Sequence, residues 1–73
     1  MSQENKICAR ETIAKNVIKL RKEKKLKREE LSLLLGFDNS YISKLEKGRI
    51  NITIDKLEML ASFFKIDTFK LLK

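Results

Sequence analysis

Several residue types that stabilise or activate small proteins are scarce or missing in this chain. Its 73 residues include no proline, no histidine, no tryptophan, two glycines and a single cysteine, Cys8. One cysteine cannot form an internal disulfide, and without histidine a transition-metal site loses its commonest ligand. We therefore expect no disulfide framework, no structural metal and no cofactor.

The missing histidine also counts against catalysis, since it is the usual general base beside a Ser or Cys nucleophile. No pair of carboxylates falls in an obviously buried, apolar stretch, so we expect no enzyme activity. No apolar run approaches the roughly 20 residues that span a membrane, and Met1 to Arg10 lack the apolar core of a signal peptide. We expect a cytoplasmic protein without a membrane partner.

Positive charge is plentiful and unevenly distributed. Seventeen Lys and Arg against ten Asp and Glu give a net charge of +7. Residues 50–73 hold four Lys and three acidic residues, a balance of +1, which leaves +6 for residues 1–49. Basic surfaces often serve solubility alone, but this concentration favours a polyanionic partner such as nucleic acid.

The pattern of apolar residues predicts an all-α domain of five short helices over residues 7–73, after a flexible N-terminus of residues 1–6. The first helix, Glu11–Lys24, places Ile13, Val17 and Leu20 on one face. Ile7 and Cys8 either extend this helix or pack against it. The second helix, Arg28–Leu35, ends at Gly36 and offers Leu31, Leu34 and Leu35 as apolar contacts.

Three more caps define the rest of the chain. Asp38 or Asn39 caps a third helix to Lys47, which turns Ile42 and Leu45 inward and stops at Gly48. Asn51 or Thr53 caps a fourth helix to Phe64. Its predicted buried residues are Ile54, Leu57, Leu60, Ala61 and Phe64, and Asp67 caps a last turn with Phe69, Leu71 and Leu72.

The two helices around Gly36 have the spacing of a helix-turn-helix, with Phe37 at the corner and small Ser32 where the helices cross closely. The ordered segments LRKEK (20–24), EEL (29–31) and YISKLEKG (41–48) resemble the Cro/C1-type (XRE) family, whose fold is that of the lambda repressor DNA-binding domain. The chain departs from the family pattern at Lys25 (often Gly), Lys27 (often Ser or Thr) and Ser32 (usually Ala). Weaker capping around residues 25–28 should follow.

This resemblance implies that the helix 39–47 enters the major groove of double-stranded DNA. Its solvent-facing residues then contact bases: Asn39, Ser40, Ser43 and Lys44. Arg28 matches a family position that commonly contacts the DNA backbone, and Lys27, Lys47 and Arg49 flank the same presumed face, so we expect backbone contacts from all four. Tyr41 reaches a phosphate through its hydroxyl, or a base. The alternatives are a helix cap for Asn39, a solvated charge for Lys44 and packing on the first helix for Tyr41. Family resemblance further suggests an ion pair between Arg21 and Glu46, the alternative being a solvated arginine.

One such helix touches few bases, so we expect a homodimer on an operator. The apolar residues left for a C-terminal dimer interface are Met59, Phe63, Phe69 and Leu72, unless Phe69 and Leu72 fold back into the core. The segments DNSYIS (38–43), NITI (51–54) and LE (57–58) are similar to restriction-modification controller proteins. The expected function is a transcriptional regulator, a repressor or an activator, with RNA polymerase as a partner if it activates. Phage Cro-like and plasmid regulators, and an antitoxin or other protein-interaction module, are the alternatives.

Overall fold

The computed structural model describes residues 9–73, which form four α-helices followed by a short 3-10 helix, with no strand in this range. This confirms the predicted all-α class. The predictions for Ile7, Cys8 and the flexible segment 1–6 lie outside the described residues. The helices are α1 (Ala9–Glu23), α2 (Arg28–Leu34), α3 (Tyr41–Glu46) and α4 (Ile54–Phe64), and the 3-10 helix is Thr68–Leu72.

Helix α1 is amphipathic as predicted. Ile13 and Val17 are buried in the core and Leu20 packs partly buried against it. The helix ends in a turn at Lys25, whose φ of 58° is left-handed. A residue with a Cβ is strained in that region, which explains why glycine is common at this position of the family that the chain resembles.

Helix α2 begins without a side-chain cap, because the Lys27 ammonium cannot accept a hydrogen bond. Only the reciprocal contact forms, in which the Lys27 N–H donates to Glu30 Oε1 at 2.7 Å. The expected weak capping is confirmed. Leu31 is buried, but the predicted contact by Leu34 is wrong, since this side chain is 61% exposed. It lies at the rim of a groove between α2 and α4, where no side chain covers it fully.

Gly36 ends α2 in a left-handed turn, at a φ of 77°, as predicted. The third helix is shorter than predicted and begins only at Tyr41. Neither Asp38 nor Asn39 is its N-cap; that residue is Ser40, whose side chain makes no capping hydrogen bond. The Asp38 carboxylate instead accepts the Ser40 N–H, one residue before the helix. Ile42 and Leu45 are buried as predicted.

Helix α4 begins at a true cap, since Thr53 Oγ1 accepts the Lys56 N–H at 3.2 Å. Leu57, Leu60, Ala61 and Phe64 are buried as predicted, but Ile54 is 68% exposed. Ile54 shares the helical face of Ala61 but lies in the first turn, beyond the part of α4 that the core covers.

Asp67 is the N-cap residue of the C-terminal 3-10 helix, as predicted, although its side chain makes no capping hydrogen bond. Asn16 Nδ2 donates a hydrogen bond to the Leu71 carbonyl at 2.8 Å, which holds the 3-10 helix against α1. Leu71 is buried, whereas Phe69 is 60% exposed and Leu72 is also exposed, so these two residues do not fold back into the core. The core residues are Ile13, Val17, Leu31, Ile42, Leu45, Leu57, Leu60, Ala61, Phe64 and Leu71.

Candidate nucleic-acid interface

An open groove of about 630 Å³ runs between the end of α1, the start of α2 and the turn before α3. Four of its side chains are cationic and one is a carboxylate, so an anion is the ligand that its charge favours. The residues that line it are Arg21, Lys22, Lys27, Arg28, Glu29, Asn39, Ser40 and Ser43. We call this feature the basic groove.

The basic groove brings together residues that the sequence assigned to two different roles. Asn39, Ser40 and Ser43, predicted to contact bases, share it with Lys27 and Arg28, predicted to contact the DNA backbone. The other four predicted contacts do not line it. Three of them, Lys44, Lys47 and Arg49, are exposed on α3 and just after it, and Tyr41 is half-buried.

The start of α3 changes how the base-contact residues are presented. The helix was predicted from residue 39 but begins at Tyr41, so Asn39 and Ser40 belong to the preceding turn. Asn39 is exposed and is not the helix cap, which removes the alternative role predicted for it. Only Ser43 and Lys44 of the base-contact set stand on the helix itself.

Ser40 is oriented by its neighbour Asp38. The Ser40 hydroxyl donates to Asp38 Oδ2 at 2.5 Å, and the Ser40 N–H donates to the same oxygen at 3.2 Å. These hydrogen bonds, the side-chain one first, lower the pKa of Asp38, and the positive charge of Lys44 adds to the shift. The hydroxyl proton of Ser40 is thus committed, which leaves its oxygen as an acceptor toward the groove.

Ser32 has a function that the sequence did not suggest. It is fully buried where α2 crosses α3, and its hydroxyl oxygen accepts the N–H of Ile42 at 3.2 Å. That N–H lies in the first turn of α3, where it has no partner within the helix. A serine on α2 therefore caps α3 across the turn. The sequence feature that could have indicated this role was the serine at position 32, where the family pattern usually has alanine.

The predicted ion pair between Arg21 and Glu46 is present. Arg21 Nε and Nη2 donate to the two carboxylate oxygens of Glu46 at 2.6 and 3.1 Å, and Arg21 Nη1 donates to the Leu26 carbonyl at 2.8 Å. The two side chains are only 12% and 5% exposed. This bidentate pair holds the last residue of α3 against α1 and the turn before α2.

Tyr41 is held at the corner rather than free at the surface. Its ring meets Phe37 edge-on with centroids 4.8 Å apart, and the Lys56 ammonium lies 4.6 Å from the Tyr41 centroid. Burial raises the pKa of the Tyr41 phenol, so this hydroxyl stays protonated and can donate a hydrogen bond.

One further cation of the basic groove, Lys22, was not among the contacts predicted from the sequence. Its proximity to the groove follows from the sharp reversal at Lys25, which brings the end of α1 beside the start of α2. The basic run from Lys22 to Arg28 was the available sign. Among residues 9–73 there is no cluster of potential metal ligands, and no helix in that range is long and apolar enough to cross a membrane.

Comparison with known proteins agrees with this geometry. Residues 17–71 match the helix-turn-helix family. The chain belongs to the Cro/C1-type (XRE) helix-turn-helix family. It is 42% identical over 52 residues to the uncharacterized HTH-type transcriptional regulator y4dJ of Sinorhizobium fredii, across 71% of this chain and 68% of that protein. The family is one of DNA-binding transcriptional regulators.

Two solved structures share the fold of this family member. The hypothetical transcription factor NHTF from Neisseria superposes with a TM-score of 0.86 at 30% identity, covering 90% of this chain and 76% of that one. The restriction-modification controller protein C.AhdI from Aeromonas hydrophila superposes with a TM-score of 0.77 at 29% identity, covering 85% and 94%. The second match spans nearly the whole of a compact regulator.

Proposed function

We propose that this XRE-family chain is a sequence-specific transcriptional regulator that binds a double-stranded DNA operator as a homodimer. The observation that carries the proposal is the basic groove, in which cations flank the side chains able to read bases. Lys27 and Arg28 face the sugar-phosphate backbone, and Asn39, Ser40, Ser43 and Lys44 face base edges.

The hydrogen-bonding groups of these side chains suggest which base each of them contacts. Asn39 pairs with adenine and Lys44 donates to guanine, while Ser40 accepts a hydrogen bond because its proton is held by Asp38. Lys47, Arg49 and the Tyr41 hydroxyl add contacts to phosphates on either side.

Selection of bound duplexes from a random pool, at two salt concentrations, tests this function. We expect an inverted repeat with half-sites about one helical turn apart. Arg28→Ala should weaken binding to all duplexes alike and lower the salt dependence by about 0.9 in the slope of log K against log salt. Asn39→Ala should weaken binding to the selected operator by about 1–3 kcal/mol and relax the preference at one position.

A matched control separates contacts from net charge. Lys65→Asn removes one positive charge at the far end of α4 and keeps a residue that tolerates the left-handed φ of 58° found there. It should leave the selected sequence and the affinity nearly unchanged. If Arg28→Ala and Lys44→Ala bind as tightly as the parent at moderate salt, the proposed DNA contacts by the basic groove and by α3 are wrong.

The homodimer is proposed from the exposed apolar residues near the C-terminus. Met59 and Leu72 are each 43% exposed, Phe69 is 60% exposed and Phe63 is half-buried. Phe69→Ser and Leu72→Ser should convert a dimer into a monomer in sedimentation equilibrium while the helical circular dichroism is kept. A parent chain that sediments as a monomer at all concentrations would contradict this interface.

Within this function, the likeness to C.AhdI favours a restriction-modification controller protein. Such a controller would bind upstream of its own gene and of an endonuclease gene. The selected operator should then occur upstream of both genes. An antitoxin or other interaction module in which specific DNA binding is absent would select no operator, and its binding to DNA would vanish as salt rises. The proposed regulator acts through binding alone, without catalysis.

A further inference from the structure

Lys56 occupies a position where a cation is electrostatically unfavourable. It is the third residue of α4, and its N–H is bound by the Thr53 cap. The positive end of a helix dipole lies there, so acidic residues such as Asp55 are favoured and a lysine is disfavoured. Within residues 9–73 Lys56 has no carboxylate partner, since the ion pair there is Arg21–Glu46.

The ammonium of Lys56 instead lies over two aromatic rings. Its nitrogen is 4.6 Å from the centroid of Tyr41 and 5.4 Å from the centroid of Phe37. Both distances are within the range of a cation–π interaction, and all three side chains are half-buried. The rings also meet each other edge-on at 4.8 Å.

This cluster joins three parts of the molecule that the backbone does not join directly. Phe37 is in the turn after α2, Tyr41 is the first residue of α3, and Lys56 comes from α4. Helix α3 has six residues and no side-chain cap of its own, so the orientation of its first turn depends on such contacts. Asn39 and Ser40 immediately precede that turn.

We propose that Lys56 is a positioning residue for DNA reading, whose ammonium fixes the Tyr41 ring and with it the first turn of α3. The inference rests on the proposed DNA-binding function. It assigns to α4 a part in sequence selectivity that is separate from phosphate contact. A lysine whose ammonium binds phosphate contributes to every duplex alike, whereas a positioning lysine contributes only where bases are read.

The test compares Lys56→Met and Lys56→Arg in the parent chain and in a Tyr41→Leu background. Dissociation constants are measured over a range of salt for the selected operator and for a non-specific duplex. Lys47→Met is the matched control, because it removes the same charge from a predicted phosphate contact. Thermal melting establishes that each variant is folded.

We expect Lys56→Met to weaken operator binding about three- to tenfold, with the salt slope and the non-specific affinity unchanged. In the Tyr41→Leu background the same change should have no further effect, and Lys56→Arg should remain within about twofold of the parent because arginine keeps the cation–π contact. Lys47→Met should lower the magnitude of the slope of log K against log salt by about 0.9.

A spectroscopic reading of the free protein checks the contact itself. The Lys56 ε-methylene should show a ring-current shift in NMR, and the part of that shift lost in Tyr41→Leu reports the contact with Tyr41, while the remainder comes from Phe37. If Lys56→Met lowered the affinity for the operator and for the non-specific duplex equally and reduced the slope of log K against log salt, Lys56 would be a phosphate contact and the inference would be wrong. The inference would also be wrong if Lys56→Met kept the parent's affinity for the operator and the parent's preference for it over the non-specific duplex. A parent chain that selects no operator would refute the proposed function as well.

Discussion

The Arg21–Glu46 pair allows a sharp test of what holds α3 in place. Arg21→Met keeps an unbranched chain in place of the aliphatic part of arginine but removes three hydrogen bonds, two to the Glu46 carboxylate and one to the Leu26 carbonyl. The carboxylate is left 5% exposed in the parent geometry, with its positive partner gone. A buried charge without a partner is costly because water cannot replace the lost contacts.

The expected loss is large compared with the stability of a small domain. Removing one partner of a buried pair costs about 3–5 kcal/mol, and the lower value applies here because Arg21 keeps 12% exposure. A chain of 73 residues is stabilised by roughly 4–11 kcal/mol in total. We therefore expect the free energy of unfolding to fall by about 3 kcal/mol and the Tm by roughly 12–24 °C.

Urea and thermal unfolding followed by circular dichroism measure both quantities. Lys22→Met, at the exposed neighbouring position, is the control and should change stability by less than about 0.5 kcal/mol. The double variant Arg21→Met with Glu46→Met should regain most of the loss, since it leaves no unpaired charge. A loss below about 1 kcal/mol in Arg21→Met, or additive losses in the double variant, would refute the assigned role of the pair.

Three smaller perturbations test other features of the fold. Ser32→Ala leaves the buried N–H of α3 without its acceptor and should lower the free energy of unfolding by about 1–3 kcal/mol in urea titration; no loss would exclude the cap across the turn. Lys25→Gly removes the Cβ strain at a φ of 58° and should raise the free energy of unfolding by about 0.5–1 kcal/mol in urea titration. If residue 25 were helical instead, the same substitution would lower the free energy of unfolding. The lowered pKa of Asp38 means that its hydrogen bonds with Ser40 stabilise the fold above the ordinary carboxylate pKa, and that this contribution is lost as pH falls through the lower, folded value. Asp38→Asn should remove that part of the acid dependence of stability, and an unchanged pH profile would contradict it.

The sequence predicts the order and type of the helices well because apolar spacing and the two glycines define them. Buried positions such as Val17, Ile42 and Leu60 follow from helical periodicity alone. Leu34 and Ile54 fail because periodicity specifies a face but not how far the neighbouring helices extend over it. Both lie at helix ends, where the covering elements stop.

The residues of the candidate site could be predicted from the sequence, but the start of α3 and the contacts that position it could not. Lys27, Arg28, Asn39 and Ser43 meet in one groove as the family pattern implies. The late start of α3 was missed because Asp38 and Asn39 are both good caps, and the choice of Ser40 depends on the Asp38 side chain turning toward its hydroxyl. The Lys56 contact joins residues 15 apart in sequence through space, which no local pattern reports.

The attachment of α3 has a consequence for how such a regulator changes its target during evolution. Two polar contacts that hold it are the Ile42 N–H bound by Ser32 and the Glu46 carboxylate bound by Arg21, and neither uses a side chain that faces the basic groove from α3. Ser43 and Lys44 can therefore be exchanged without loosening the helix. If these two residues contact bases as proposed, single substitutions at either position change the operator that the protein selects, while the stability of the fold stays nearly constant.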